Sequence, residues 1–168
     1  MSQQIRRRIF VSYHHRGDQR YYEEFSRLFH DGFQLITDNS LERAVDSADV
    51  DYVMRRIREE HLHGSSCTVV LCGENTPNRK YVDWEILASL NQGMAVVGVG
   101  LPGIIGFSNG GTAKPARLQD NIDSGYAEWI MWNDLMSAPW RLLEKIESGL
   151  RKSSSLIINS RMRMTRNV

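Results

Sequence analysis

A nearly continuous apolar run lies at Cys67-Thr68-Val69-Val70-Leu71-Cys72, near the middle of the 168-residue chain. A run of this length without polar alternation is typical of a strand that is covered on both faces of a parallel sheet. Before it, apolar positions recur along 50–61 at three- and four-residue spacing, and after it they repeat every four residues from Val82 to Met94. Such spacing indicates helices. We therefore predict a central β-strand between two amphipathic helices.

The same alternation of strand and helix extends in both directions. Strands are predicted at 8–13, 33–36, 67–72, 95–99 and 127–132. Helices are predicted from Asp18 to Gly32, from Val50 to near Gly64, from Val82 to Met94 and from Ser137 or Pro139 to Leu150. An irregular connection is predicted over 101–121, with room for one short helical turn. Strands that alternate with helices imply right-handed crossovers in an open parallel sheet. We expect an α/β fold, a flavodoxin-like three-layer sandwich with a central, mostly parallel sheet.

Length and charge predict one folded domain with basic ends. A chain of 168 residues fits a single domain, which we place at 1–150, with 151–168 as a basic C-terminal tail that completes the last helix and is then either ordered or disordered. Eight of the 21 basic residues lie in 6–8 and 151–166, whereas all 20 acidic residues lie between these segments. A nucleic-acid binder more typically carries a basic stripe on its folded body. We therefore expect no nucleic-acid partner.

The hydropathy pattern gives no sign of a membrane segment. No apolar run approaches the roughly 20 residues that a membrane-spanning helix requires. Residues 1–10 are too polar and too rich in arginine for a secretory signal. We expect no membrane partner and a cytoplasmic location.

Several motif-like residues are not expected to form sites. The stretch 98–103 matches G-x-G-x-x-G after a strand, but no helix begins at its end to bind a pyrophosphate. Cys67 and Cys72 are five residues apart in one strand, so their side chains point to opposite faces and cannot pair. His61 and His63 lie at the end of a helix, where they are expected to cap backbone carbonyls. The sequence predicts no metal site and no Rossmann cofactor site.

Ligands of open parallel sheets bind outside the carboxyl ends of the strands. Here those ends are followed by 13–18, 37–41 and 73–85. The last segment ends in Tyr81-Val82-Asp83-Trp84-Glu85, in which Tyr81 lies one helical turn before Glu85 on the same surface. From spacing alone, two interpretations stay open: Glu85 is an acid beside the aromatic wall of a ligand site, or it is a solvated glutamate of an amphipathic helix.

Two stretches resemble a known family in the order in which that family has them. Ile9-Phe10-Val11-Ser12-Tyr13 resembles the first strand of TIR domains. Tyr81-Val82-Asp83-Trp84-Glu85 is similar to their Trp-Cys-x-x-Glu helix motif, with Tyr81 and Val82 at the Trp and Cys positions. Val82-Asp83-Trp84-Glu85-Ile86 also resembles the TIR-like branch of prokaryotes, which includes the TIR proteins of Thoeris antiphage defence. The resemblance covers roughly 8–150 and implies a TIR-like fold.

The resemblance implies a reaction and a catalytic residue. Catalytic TIR domains cleave the nicotinamide–ribose bond of NAD, and their motif glutamate maps onto Glu85. NAD is then the substrate and no separate cofactor is implied. A carboxylate can stabilise the oxocarbenium character that develops on the ribose when this bond breaks. Capture of the ribose by a hydroxyl or by adenine, before water arrives, would give a cyclic ADP-ribose isomer.

The resemblance also implies substrate contacts and partners. Tyr13 and Tyr81 are expected to stack on nicotinamide or the adjacent ribose. His14 falls where many family members carry an arginine, and Asp38 and Asn39 fall in the loop after the second strand. Family enzymes often complete the pocket across a contact between protomers, so self-association is implied, as is signalling through a small molecule to a separate effector protein.

Two hypotheses for the function follow. The first is an NAD-cleaving, TIR-like enzyme of bacterial antiviral defence that releases nicotinamide and forms a cyclic ADP-ribose-type signal. The second is a non-catalytic TIR-like protein-interaction module in which Glu85 is solvated. The replaced Trp and Cys positions of the motif leave the second hypothesis open.

Overall fold

The structure is a computed structural model that describes residues 6–38 and 49–168. The strands are β1 (Arg7–Ser12), β2 (Phe33–Ile36), β3 (Cys67–Cys72), β4 (Ala95–Gly100) and β5 (Glu128–Met131). The helices are α1 (His15–Phe29), α2 (Val50–Arg56), α3 (Lys80–Asn91), α4 (Ala116–Asp123), α5 (Trp132–Ser137) and α6 (Arg141–Leu150). In the described part of the chain, no helix combines the length and the apolar character needed to cross a membrane.

The five strands form one parallel sheet in the order β2-β1-β3-β4-β5. The apolar run that predicted a central strand is β3, which pairs with β1 on one side and β4 on the other. Its six residues are all buried, as are the six of β4. The flavodoxin-like α/β sandwich predicted from the alternation of strands and helices is confirmed.

Side-chain alternation along the strands divides the core into two layers. Ile9 and Val11 of β1 and Cys67 of β3 pack in the layer that contains α1 and α6. Phe10 packs with α2 and α3 in the other layer, and Cys72 packs against α3 and α4 in that layer. The two cysteines are free and buried on opposite faces, as predicted. Burial raises the pKa of Cys67 to about 12.

The second predicted helix has an irregular end. It is α-helical over Val50–Arg56 and continues as a single π-helical turn over Ile57–His61, in which the amide of Leu62 donates to the carbonyl of Ile57 at 2.9 Å. π-Helical turns are rare in proteins, but those that occur are often found at functional sites. The turn changes the direction in which His61 points relative to a regular helix.

The region after β4 differs from its prediction. Within the predicted irregular connection, α4 begins at Ala116 directly after Pro115 and continues to Asp123. The predicted last helix corresponds to α6, which begins after Pro139, whereas α5, which starts at the end of β5, is an additional helix.

The segment 151–168 is ordered against the domain. It leaves α6, passes through a short 3₁₀ turn at Ser154–Leu156 and then follows α4 and α3 in extended form.

Candidate active site around Glu85

Glu85 is held in the interior by the first strand. Its side chain lies on α3, and the residue is only 5% exposed. The hydroxyl of Ser12, the last residue of β1, donates to Oε1 of Glu85 at 2.8 Å. A buried carboxylate is costly unless it is hydrogen-bonded. The interpretation of Glu85 as a solvated surface glutamate is therefore wrong, and the carboxylate lies at the carboxyl end of β1, the edge where parallel sheets bind ligands.

Polar contacts one turn further along α3 fix this helix against the sheet. The hydroxyl of Ser89 donates to the backbone carbonyl of Glu85 at 2.7 Å. The same hydroxyl lies 2.7 Å from Oγ1 of Thr68, near the amino end of β3. All three residues are buried. The backbone of Glu85 is thus tied to β3 while its carboxylate is tied to β1.

Tyr81 lies one turn before Glu85 on the same helix. Its ring packs edge-on against Trp84, with 5.4 Å between the ring centroids. The ammonium group of Lys80 lies 5.3 Å from the centroid of the Tyr81 ring. Tyr81 and Trp84 belong to the apolar cluster around Phe10. The structure therefore places Tyr81 on the helix that carries Glu85, as the sequence predicts.

Tyr13 packs on the α1 side of the sheet. Its ring stacks on Tyr22 of α1, with 4.7 Å between centroids and 6° between the planes, and its hydroxyl donates to Gln19 at 2.7 Å. Successive side chains of a strand alternate between faces, so Tyr13 continues the α1-side layer while Ser12 faces α3. The structure packs the Tyr13 ring in this layer, and its stacking on substrate stays a prediction.

His14 lies at the start of α1 and is mostly buried. A Cβ at Gly17 would lie 2.8 Å from Nδ1 of His14. The absence of a side chain at Gly17 therefore makes room for the imidazole ring. His14 remains at the carboxyl edge of β1, where the sequence predicts it.

Asp38 is buried at the end of β2 and contacts a histidine. Its Oδ2 lies 3.1 Å from Nε2 of His61, at the end of the π-helical turn. The sequence predicts that His61 caps helix carbonyls, whereas the structure pairs its ring with Asp38. No sequence spacing signals this pair, because it depends on the irregular turn. The predicted site residue Asn39 lies outside the described residues.

Strand register relates Asp38 to Ser12. Phe10 of β1 pairs with Ile36 of β2, so two residues further on Asp38 is level with Ser12. The hydroxyl of Thr37 donates to the carbonyl of Val11 at 2.9 Å and continues this alignment. Phe10 and Ile36 pack in the same layer, so alternation places Ser12 and Asp38 on the α3 side of the sheet.

The chain matches a known protein family over most of the sheet and the candidate site. Residues 10–104, more than half of the chain, match the family model described as "Thoeris protein ThsB, TIR-like domain". The chain belongs to this family. The match includes Glu85 and all the other predicted site residues, and it confirms the resemblance seen in the two motifs.

The TIR-like domain also matches a solved structure. That structure is titled "Structure of the activated Roq1 resistosome directly recognizing the pathogen effector XopQ (TIR domains)". The match has 15% sequence identity and a TM-score of 0.41, and it covers 86% of this chain and 82% of the other. Comparison with curated proteins gives no match.

A further carboxylate of the TIR-like domain lies at the same sheet edge. Asp18, in the first turn of α1, is buried, and burial raises its pKa while a hydrogen bond from the Thr76 hydroxyl at 3.5 Å opposes this shift. That hydroxyl accepts from the amide of Gly73 at 2.8 Å. A Cβ on Gly73 would overlap the carboxylate of Asp18. Sequence reasoning missed Asp18, whose position depends on the contact with the loop after β3.

Two buried carboxylates lie on the same side of the sheet. Glu85 and Asp38 present carboxylates on the α3 side of the sheet, at the carboxyl ends of neighbouring strands. The hydroxyl of Ser12 donates to Glu85, and the imidazole of His61 lies 3.1 Å from Asp38, so each carboxylate is restricted in its orientation. Carboxylates held in this way can accept hydrogen bonds from sugar hydroxyls and can stabilise positive charge that develops near them.

Proposed function

We propose that this TIR-like domain cleaves the nicotinamide–ribose bond of NAD, with Glu85 as the catalytic carboxylate, as part of antiphage defence. The observation that carries the proposal is the buried carboxylate of Glu85, which accepts a hydrogen bond from Ser12 at the carboxyl edge of β1. Membership in the Thoeris TIR-like family supports the defence role.

The proposed chemistry requires a negative charge and little acid catalysis. The C1′–N bond breaks and its electron pair leaves with nicotinamide, which becomes a neutral molecule. Positive charge then develops on the ribose, and the carboxylate of Glu85 stabilises it. Because the leaving group needs no proton, the proposed role requires the ionised carboxylate, to which the hydroxyl of Ser12 donates a hydrogen bond.

The product depends on which nucleophile reaches C1′. Attack by water forms a C–O bond and releases a proton, which gives ADP-ribose. Attack by an adenine nitrogen or a ribose hydroxyl of the same molecule closes a ring instead and gives a cyclic ADP-ribose isomer. Exclusion of water favours the second route. We propose the cyclic product, which would activate a separate effector protein, and self-association of the domain.

A specific surface feature favours the second candidate function, a protein-interaction module without turnover. Leu28, Phe33, Trp140 and Leu143 line a groove of about 460 Å³, together with Arg7 at the start of β1. Trp140 is 64% exposed. The groove lies at the amino end of β1, whereas Glu85 lies at the carboxyl end, so substitution of Glu85 separates the two candidate functions.

The test follows nicotinamide release from NAD by purified protein, with and without lysate of phage-infected cells. Wild type is compared with Glu85→Gln and with Glu147→Gln, a control at an exposed position of α6. We expect release by wild type and the control and a loss of at least about 100-fold for Glu85→Gln, since one removed transition-state partner costs about that much. Equal, nonzero release by Glu85→Gln would overturn the role of Glu85. Absence of release in every arm would favour the interaction module.

A further inference from the structure

The segment 157–168, which we call the strap, runs along α3 in the opposite direction to the helix. At its beginning, the side-chain amide of Asn159 donates to the carbonyl of Leu87 at 3.2 Å and to Oδ1 of Asn91 at 2.7 Å, near the end of α3. At its other end, the amide of Val168 donates to the carbonyl of Asn78 at 3.0 Å, just before α3 begins. The strap therefore spans the whole helix that carries Glu85.

The middle of the strap contacts the two residues that directly precede Glu85. The backbone amide of Met164 donates to Oδ2 of Asp83 at 2.8 Å, and the carbonyl of Met164 accepts the indole N–H of Trp84 at 2.7 Å. Trp84 is buried, and a buried indole N–H requires an acceptor. The strap backbone supplies this acceptor from about 80 residues away in the sequence.

Asn167 caps α3. The residue at the N-cap position of the helix, Arg79, makes no side-chain hydrogen bond to the first-turn amides. The side-chain carbonyl of Asn167 accepts from the backbone amide of Lys80 at 2.9 Å instead. The first amides of a helix have no partner within the helix, and a side-chain cap stabilises them. The cap of this helix is thus a distant residue of the strap.

The strap is anchored independently on α4. Arg161 forms a bidentate pair with Asp120, at 2.8 and 2.9 Å, and its hydrogen bond lowers the pKa of that carboxyl. Asn121 exchanges two hydrogen bonds with the backbone of Ile158, at 2.8 and 2.9 Å. The strap is therefore fixed to α4 at one side while it contacts α3 at the other.

We infer that the strap positions Glu85 by holding α3 from outside, with Asn167 as a positioning residue. The sheet holds the inner side of the helix through Ser12 and Thr68, and the strap contacts hold Lys80, Asp83 and Trp84 on other sides. Asn167 acts on Glu85 through the first turn of α3. A small displacement of a catalytic group is costly to the reaction. The role in turnover rests on the proposed cleavage of NAD, whereas the hold on the helix does not.

The experiment uses the full chain with three substitutions. Asn167→Ala removes the cap, and Asn167→Asp retains an oxygen acceptor whose charge suits a helix N-terminus. Met162→Ala is the control, because Met162 belongs to the strap and is 88% exposed. Amide hydrogen exchange of the first turn of α3 is measured without NAD, and the kcat and KM of nicotinamide release are measured separately.

For Asn167→Ala we expect exchange in the first turn of α3 to rise about fivefold, the change that corresponds to ~1 kcal/mol for a lost cap. We expect kcat to fall by a similar factor with KM unchanged, Asn167→Asp to restore both, and Met162→Ala to match wild type. Unchanged exchange, or faster exchange with unchanged kcat, would overturn the inference while the proposed function stands. Faster exchange with no nicotinamide release even by wild type would overturn the proposed function and the role of the strap in turnover, leaving only its hold on α3.

Discussion

A buried ion pair between α3 and α4 permits a quantitative test of the packing around the site. Nε of Arg117 donates to Oδ1 of Asp83 at 2.8 Å, and Nη2 donates to Oδ2 at 3.4 Å. Arg117 is fully buried and Asp83 nearly so. The Arg117 guanidinium also donates to Asn159 at 2.8 Å. The pair therefore joins both helices to the strap that lies along α3.

The substitution Arg117→Met removes the guanidinium and keeps a long apolar side chain. It leaves the carboxylate of Asp83 buried without its cation. Loss of one partner from a buried ion pair costs about 3–5 kcal/mol, which for a chain of this size corresponds to a decrease in Tm of roughly 6–20 °C. Replacement of both partners in Asp83→Leu/Arg117→Met removes the stranded charge, so we expect it to cost at least ~2 kcal/mol less than the sum of the two single substitutions.

The assay is equilibrium unfolding in urea, followed by circular dichroism and tryptophan fluorescence. The control is the partly exposed pair of Arg56 and Glu60, in which Nε lies 3.2 Å from Oε2. We expect Arg56→Met to lower the free energy of unfolding by less than ~0.5 kcal/mol. A cost below ~1 kcal/mol for Arg117→Met would refute the argument from burial. Additive costs in the double variant would refute the coupling of the two charges.

Three further predictions concern single side chains at the sheet edge. Ser12→Ala should slow nicotinamide release by at least about tenfold, because a hydrogen bond to a charged group contributes about 1.5–3 kcal/mol; an unchanged rate would contradict the role of the hydroxyl. Burial raises the pKa of Asp18 above its usual 3.8, so the folded protein retains this proton where the unfolded chain has lost it, and the associated stability is lost as the pH rises through the folded pKa. Urea unfolding should therefore show Asp18→Asn gaining stability relative to wild type as the pH rises above 3.8, and a pH-independent difference would contradict this. His61→Leu should lower the free energy of unfolding by about 1–3 kcal/mol, because it removes the imidazole beside Asp38. The control His63→Leu, at an exposed position, should lower it by less than ~0.5 kcal/mol. Equal decreases in urea unfolding would refute the importance of the contact between His61 and Asp38.

The sheet could be predicted from the sequence because burial on both faces leaves a continuous apolar run. Strand β3 is such a run, and its end marks the ligand-binding edge. Helix α4 could not be predicted in this way. Its buried positions include Arg117 and Asn121, which are polar and are satisfied by Asp83 and the strap. Side chains paired with distant residues do not produce an apolar periodicity.

The candidate site could be predicted in part. Spacing and resemblance together identify Glu85, but its donor Ser12 depends on how α3 docks on β1. Alternation along β1 already implies that Tyr13 faces the opposite side from Ser12. The pair of Asp38 and His61 depends on a π-helical turn that has no sequence signature here.

The basic composition of 151–168 gave no indication of the strap. Its contacts with α3 use two backbone groups of Met164 and the side-chain amides of Asn159 and Asn167. Backbone groups carry no sequence information, and asparagines are usual in exposed segments. The order of this segment therefore follows from tertiary hydrogen bonds that composition does not reveal.

The most direct test of the central claim is a crystal structure of the full-length Glu85→Gln protein with NAD. We expect a side-chain oxygen or nitrogen at position 85 to lie within about 3.5 Å of the ribose that carries nicotinamide, the distance at which reacting groups are aligned. Clear density for NAD at another place, such as the groove beside Trp140, would contradict the assignment of Glu85 as the catalytic carboxylate.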